Sequence, residues 1–228
     1  MKLPFLLSVP HAGTEIPQEL KHLCRLSSQD IIKDSDEGAA EIYPPLKKDV
    51  FAFAEALVAR AFIDMNRAEN DRSKDGVVKT HTCWNIPIYK AYPSKELIES
   101  LLSEYYRPYH KKLSLFARGS KLGIDCHTMA IKGPPIGPDP GICRPHICVS
   151  NAGFTCPPGW ILSLAECLEK AFGQRVAINH PFKGGFIIRE HAKELPWIQL
   201  EISRASCLNN KEKRYLLLSA LEAWYEKH

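Results

Sequence analysis

Imidazoles and carboxylates stand where apolar, strand-like runs of this chain end. In Ser8-Val9-Pro10-His11-Ala12-Gly13 a hydrophobic run stops at a proline, presents an imidazole and turns away at a glycine. In Gly123-Ile124-Asp125-Cys126-His127-Thr128 a period of two puts Asp125 and His127 on one face and Ile124 and Cys126 on the other. In residues 196–203, Ile198, Leu200 and Ile202 share one face while Gln199, Glu201 and Ser203 share the other. A carboxylate in mid-strand is costly to bury unpaired, so Glu201 must meet water or a cation. Neutral imidazole is the commonest protein metal ligand, and two rings at strand ends can converge on one ion. A carboxylate beside ion-activated water is the usual general base of zinc hydrolases. Asp125 is placed either to support the His127 ring or to cap a neighbouring loop. The bland alternatives stay open at each position: a lone strand-end histidine is more often a hydrogen-bonded core or surface residue, and Glu201 alone reads equally as part of a solvated edge strand.

Two further segments carry cations. Residues 60–67 read as a strand with Asp64 and Asn66 on one face and Arg60 and Arg67 at its ends. A guanidinium fork suits a substrate carboxylate, and it suits a structural salt bridge as well. Residues 179–189 join the Gly184-Gly185 turn to Lys183 and Arg189, which fits an anion-gripping loop or a plain hairpin.

These residues must be positioned by elements that alternate from end to end, without repeats or linkers, as in a layered α/β sheet protein forming one domain over residues 1–228. The pattern predicts strands at 3–9, 61–65, 121–126, 146–150, 175–178, 185–189 and 196–202. Helices are predicted at 45–60, from an N-cap at Ser94 to Gly119 with Pro108 as a kink point, at 158–172 ended by Gly173, and at 211–227. The last three strands are joined too tightly for crossover helices, so at least one neighbouring pair must be antiparallel and the sheet mixed. The Gly- and Pro-rich stretch 133–145 is the one long loop, of the kind that lies over active sites.

Composition excludes several classes. The 228 residues are 45% hydrophobic and 25% charged with a net charge of +4, and no basic run or aromatic interleaving marks a nucleic-acid binder. No apolar run reaches the roughly 18–20 residues of a membrane span, and Pro10 and His11 interrupt the first hydrophobic stretch before it could act as a signal peptide. The expectation is a cytoplasmic protein whose eight cysteines, none in a C-x-x-C pair, are reduced thiols. Cys143, Cys148 and Cys156 form the one cluster where a structural metal or a disulfide could sit.

Taken in order, the segments Pro10-His11-Ala12-Gly13, Asp34-Ser35-Asp36-Glu37-Gly38, residues 60–67, Tyr106-Arg107-Pro108-Tyr109-His110, Asp125-Cys126-His127-Thr128, Asn179 with Phe182-Lys183-Gly184-Gly185-Phe186, and Gln199-Leu200-Glu201 resemble the N-formylglutamate amidohydrolase family, over roughly residues 5–204. The resemblance implies a three-layer α/β sandwich with a mixed central sheet, of the phosphorylase/hydrolase-like type seen in zinc carboxypeptidases and succinylglutamate desuccinylases. It implies one zinc ion (Zn2+) held by His11, Asp36 and His127, with Glu37 and Glu15 as alternatives for the carboxylate. Glu201 becomes the general base, passing a proton from the attacking water to the leaving amine, and Asp125 and Asp64 support the ligands from behind. Arg67, Lys183 and Arg189 become candidates to hold substrate carboxylates, with Arg60 and Asn66 shaping the pocket. The implied reaction is hydrolysis of a small N-acyl amino acid such as N-formyl-L-glutamate. The expected partner is a small anionic molecule, with neither nucleic acid nor membrane, and the oligomeric state is left open.

The chain also departs from the family. Ala40 stands where the usual enzymes carry a second Asp, the chain is shorter, and residues 138–156 are Cys-rich in their own way. These departures leave room for another N-acyl amino acid. They also leave room for a carboxypeptidase- or amidase-like hydrolase of short peptides with 133–145 lining a wider cleft, or for a non-catalytic module that binds an acidic metabolite.

Overall fold

The computed structural model describes residues 2–205 and 207–228. Six strands, β1 (Leu3–Val9), β2 (Val50–Glu55), β3 (Leu122–Met129), β4 (Ile147–Ser150), β5 (Val176–Ile178) and β6 (Trp197–Ser203), form one sheet in the order β2-β1-β3-β6-β4-β5. The first four in that order run parallel, β4 is antiparallel to β6, and β5 pairs parallel with β4. The helices are α1 (Ser28–Asp34), α2 (Ala39–Ile42), α3 (Lys95–Leu101), α4 (Arg107–Ala117), α5 (Pro158–Phe172), α6 (Phe186–Glu190) and α7 (Asn210–Tyr225). None is long and apolar enough to cross a membrane.

Both faces of the sheet are covered, which is why β1, β3 and β6 are almost wholly buried. On one face α2, α5 and α7 pack Ile42, Leu164, Leu168, Leu217 and Trp224 against Phe5, Leu7, Ile124, Leu200 and their neighbours. On the other, α3, α4, α6 and residues 56–89 cover Leu6, Ala54 and Trp197. Strand parity then fixes where the polar residues go. The alternation that sends Ile124 and Cys126 into the first core turns Asp125 and His127 toward the second layer, and Ser8, Gln199 and Glu201 follow the same rule. Register completes the placement: Ser8, Asp125, Gln199 and Ser150 lie side by side across four strands, and His127, Glu201 and Cys148 lie in the next row.

Local signals account for most boundaries. Ser94 Oγ accepts from Leu97 N at the start of α3, and Asn209 and Glu212 form a reciprocal capping box at the start of α7. Gly173, at φ 63°, ends α5. Pro108 has no N–H to donate, and the run from α3 into α4 widens into a π-turn over Leu102–Tyr106 just before it.

Three predicted elements are corrected. Residues 45–60 are not a helix: a short 3-10 turn over Pro44–Lys48 leads into β2, whose exposed Phe51 and buried Ala52 and Phe53 show the pattern of an edge strand. The residues of the apparent helical stripe do not share one buried face: Phe51 and Leu57 are exposed while Ala52, Phe53 and Ala54 are all buried. Residues 61–65 are not a strand but a turn, in which Phe62 N and Ile63 N both bond to Ala59 O and Asp64 N bonds to Val77 O. Residues 185–189 fall largely in α6, because Asn66 Oδ1 takes Ile187 N and a tertiary contact overrides the strand preference of the isoleucines. The sheet is mixed as expected, although its antiparallel pair is β4–β6 and not a hairpin near the end of the chain. All eight cysteines are free thiols, Cys143 at the surface and Cys148 and Cys156 in the interior.

Candidate metal centre and active site

Three segments bring His11, Asp36 and His127 together, 2%, 5% and 3% exposed. His11 follows the end of β1, and its carbonyl accepts from Asp36 N at 2.9 Å, which pins the segment after α1 to the strand end. Arg204 at the end of β6 grips the same segment through Ser35 O at 2.6 Å. His127 comes from the carboxyl-terminal half of β3. One ligand atom from each of the three lies within 4.8 Å of the others.

Each ring is held from behind by a carboxylate. His11 Nε2 meets Asp64 Oδ1 at 2.7 Å, and His127 Nε2 meets Asp125 Oδ2 at 2.9 Å. Both rings therefore turn Nδ1 toward Asp36 Oδ2, at 3.8 Å from His11 and 2.8 Å from His127. These spacings bracket the roughly 3.3 Å expected between ligands of a tetrahedral ion with bonds of about 2.0–2.1 Å. His11 Nδ1 is buried with no hydrogen-bond partner among the described residues. A buried nitrogen lone pair facing another imidazole and a carboxylate is a donor set suited to a divalent metal, with outer carboxylates fixing the tautomers. Glu15 and Glu37 are exposed and do not join the group.

The electrostatics agree. Burial, reinforced by Arg60, holds the His11 pKa down at about 4, so the ring is neutral and its lone pair is available. Burial would also lower His127, but the charges of Asp125 and Glu201 and the bonds to Asp125 and Asp36 push it well up instead. Asp36 is held far below the carboxylate range: burial opposes this, and its bond to and attraction for His127 overcome it. Asp64 is matched by Arg60 and by fully buried Lys79, each at 3.0 Å. Asp125 is satisfied by Ser8, Asn66 and His127, and it has no lysine or arginine partner among the described residues. Asp36 in turn faces Arg60 at 3.5 Å and Arg204 at 3.8 Å.

Glu201 sits beside this group, opposite His127 in register. Gln199 Nε2 donates to Glu201 Oε1 at 2.8 Å, while Gln199 Oε1 accepts from Gly185 N. Burial pushes the Glu201 carboxyl up to about 7 against the pull of His127. A cavity of about 680 Å³ opens over these side chains, a size in the ordinary range for small-molecule sites. Its roof includes Pro134, Ile136, Pro138 and Asp139, so the Gly- and Pro-rich loop lies over the site as its composition suggested.

The other sequence candidates divide. Arg60 lines the cavity but is engaged by Asp64 and Asp36, and Arg67 by Asp75 and the Asn66 carbonyl. Asn66 is used internally: Nδ2 bonds Asp125, and Oδ1 accepts from Ile187 N. Lys183 lines the cavity, whereas exposed Arg189 lies outside its lining and bonds Gly184 O and Lys183 O. Sequence reasoning missed Lys79, Arg144, Arg204 and Tyr43, whose hydroxyl bonds His127 O at 2.7 Å. Arg204 could have been found, since it follows the polar face of β6. Lys79 lies in a polar stretch that gives no hint of burial.

The family model described as N-formylglutamate amidohydrolase matches residues 3–208. Among solved structures, N-formylglutamate amidohydrolase from Ralstonia eutropha JMP134 superposes with a TM-score of 0.75 at 19% identity, covering 99% of this chain and 93% of that one. A gene product from Agrobacterium tumefaciens superposes with a TM-score of 0.77 at 18% identity, covering 99% of this chain and 90% of that one. No curated protein matches the chain in sequence.

Proposed function

Since the chain belongs to the N-formylglutamate amidohydrolase family, we propose that it hydrolyses the amide bond of a small N-acyl amino acid such as N-formyl-L-glutamate, with zinc held by His11, Asp36 and His127 and with Glu201 as general base. His11 Nδ1, buried without a partner among the described residues and turned toward Asp36 and His127, supports this above all. Two imidazoles and one carboxylate suit zinc and leave a coordination position free. An ion there would polarise the scissile carbonyl and bring the pKa of water down toward about 7.

The chain's own groups manage the proton. Gln199 fixes Glu201 Oε1, leaving Oε2 to take a proton from the attacking water. As the new C–O bond forms and the C–N bond breaks, Glu201 returns that proton to the departing nitrogen. The products are an acid and an amine, and the carboxylate is regenerated. Burial raises the Glu201 carboxyl in the metal-free protein, and a dication beside it would lower it again and favour the carboxylate that accepts the proton. Asp64 and Asp125 keep the His11 and His127 rings oriented, and Lys183, with no ion-pair partner among the described residues, lines the cavity where a substrate anion would sit.

The test is metal content by elemental analysis, followed by turnover of N-formyl-L-glutamate and a panel of N-acyl amino acids. About one zinc per chain is expected, with activity lost on chelation and restored by zinc. Full activity in zinc-free protein, or an unchanged rate in His127→Ala, refutes the mechanism. Cleavage of short peptides in preference to N-acyl amino acids moves the substrate class to peptides.

A further inference from the structure

Most cations around the cavity are already spent on the protein itself. Arg60 and Arg67 pair with Asp64 and Asp75, Arg204 holds Ser35 O and Thr128, and Lys33 lies over the Trp84 ring at 4.4 Å. Arg144 differs. It lines the cavity with a side chain only 6% exposed, less than the 17%, 28% and 19% of Arg60, Arg67 and Arg204. Its Nε and Nη2 form a two-pronged contact with Asp139, each at 2.7 Å, and its guanidinium lies over the Phe182 ring at 4.8 Å. The third nitrogen, Nη1, has no partner among the described residues, nor does it figure among the occluded, unpartnered polar atoms of the interior. Asp139 and Phe182 line the same cavity, so the group is fixed on two sides and open on one.

The backbone sets it close to the chemistry. Arg144 N donates to Ile131 O just beyond the end of β3, and Ser203 N donates to His146 O, which ties the approach to β4 to the end of β6. The Arg144 charge is felt by Glu201, whose carboxyl it helps to hold down against burial. A rigid fork with one free donor edge is pre-organised to receive an anion, because little side-chain entropy remains to be lost on binding. We propose that Arg144 is the receptor for a substrate carboxylate, held in aim by Asp139 and Phe182, and that it confers selectivity for N-acyl amino acids over neutral amides. This rests on the reading of the cleft as an N-acyl amino acid site. A structural clip for the roof loop is the competing role, since the Arg144–Asp139 pair spans it.

The experiment compares Arg144→Gln, Arg144→Lys and Asp139→Asn in the zinc-loaded protein. Arg144→Gln is expected to raise KM for N-formyl-L-glutamate roughly 10- to 100-fold, the range of one charge-assisted hydrogen bond, with kcat changed far less. Arg144→Lys should recover part of the loss, and Asp139→Asn, which loosens the loop but keeps the guanidinium, should lose less than Arg144→Gln. An unchanged KM in Arg144→Gln, or equal losses in Arg144→Gln and Asp139→Asn, overturns the proposal. Calorimetric binding of glutarate separates this from failure of the reaction itself. Weaker binding in Arg144→Gln supports the receptor even if no N-acyl amino acid is turned over, and an unmodified protein that binds no carboxylate overturns it.

Discussion

Asp64→Asn isolates what a buried carboxylate contributes behind His11, a proposed metal ligand. Asp64 is wholly buried, meets His11 Nε2 at 2.7 Å, accepts from Asn66 N at 2.9 Å, and faces Arg60 and Lys79 at 3.0 Å each. The amide is nearly isosteric, so His11 can keep its tautomer, but the negative charge that strengthens its donor nitrogen is lost. Removing such an outer partner typically weakens metal binding 10- to 100-fold, or about 1.4–2.7 kcal/mol. The same change leaves two buried cations undercompensated, for which about 3–5 kcal/mol of stability is the usual loss. The lower end applies here, because Lys79 retains Asp75 at 2.8 Å and Arg60 retains Asp36 at 3.5 Å. Zinc affinity by competition with a chromophoric chelator, and urea unfolding of the metal-free protein, read the two effects separately. A metal affinity within about threefold of the unmodified protein would refute the argument that Asp64 tunes His11.

Two further perturbations probe the layer beneath the site. His110 Nε2 donates to Met65 O at 3.0 Å, and its Nδ1 lies 2.9 Å from His191 Nε2, so burial and then repulsion by His191 lower its pKa from 6.5 to about 4. The unfolded chain then binds the proton more tightly, so the stability from neutral His110 is complete above pH 6.5 and drains away as pH falls toward 4, by at most about 3 kcal/mol. His110→Gln should flatten that part of the stability–pH curve in urea titrations between pH 4 and 7, and parallel curves for the two proteins would contradict the assignment. Gly185→Ala would place a methyl 2.5 Å from the Asn66 amide, which bonds Asp125 and Ile187 N. The crowding should cost about 1–3 kcal/mol and lower turnover with it, and an unaltered melting temperature with full activity would show that the site yields without penalty.

Legibility in the sequence followed the range of the interactions. Where strand parity decided placement, the residues spoke directly: Asp125 with His127, and Gln199 with Glu201, lie on the face that alternation assigned, because a buried sheet gives a one-residue slip no place to hide. The end of α5 at Gly173 and the capped start of α3 were equally local and equally readable. Residues 60–67 show the limit. Asp64 and Asn66 do reach one site, yet as parts of a turn held by Val77 O, Asp125 and Ile187 N, none of which can be inferred from the local pattern. The cations behave similarly. A sequence displays every arginine as a candidate anion receptor, while the fold consumes Arg60, Arg67 and Arg204 on internal carboxylates and carbonyls. Which cation remains free is decided by long-range pairing, and Arg144 owes its open edge to Asp139 taking only two of its three nitrogens. His127 and Glu201 are therefore readable from strand periodicity and Asp36 only from the family resemblance, whereas the cation left open to the cavity is the residual of a charge balance that only the folded chain completes.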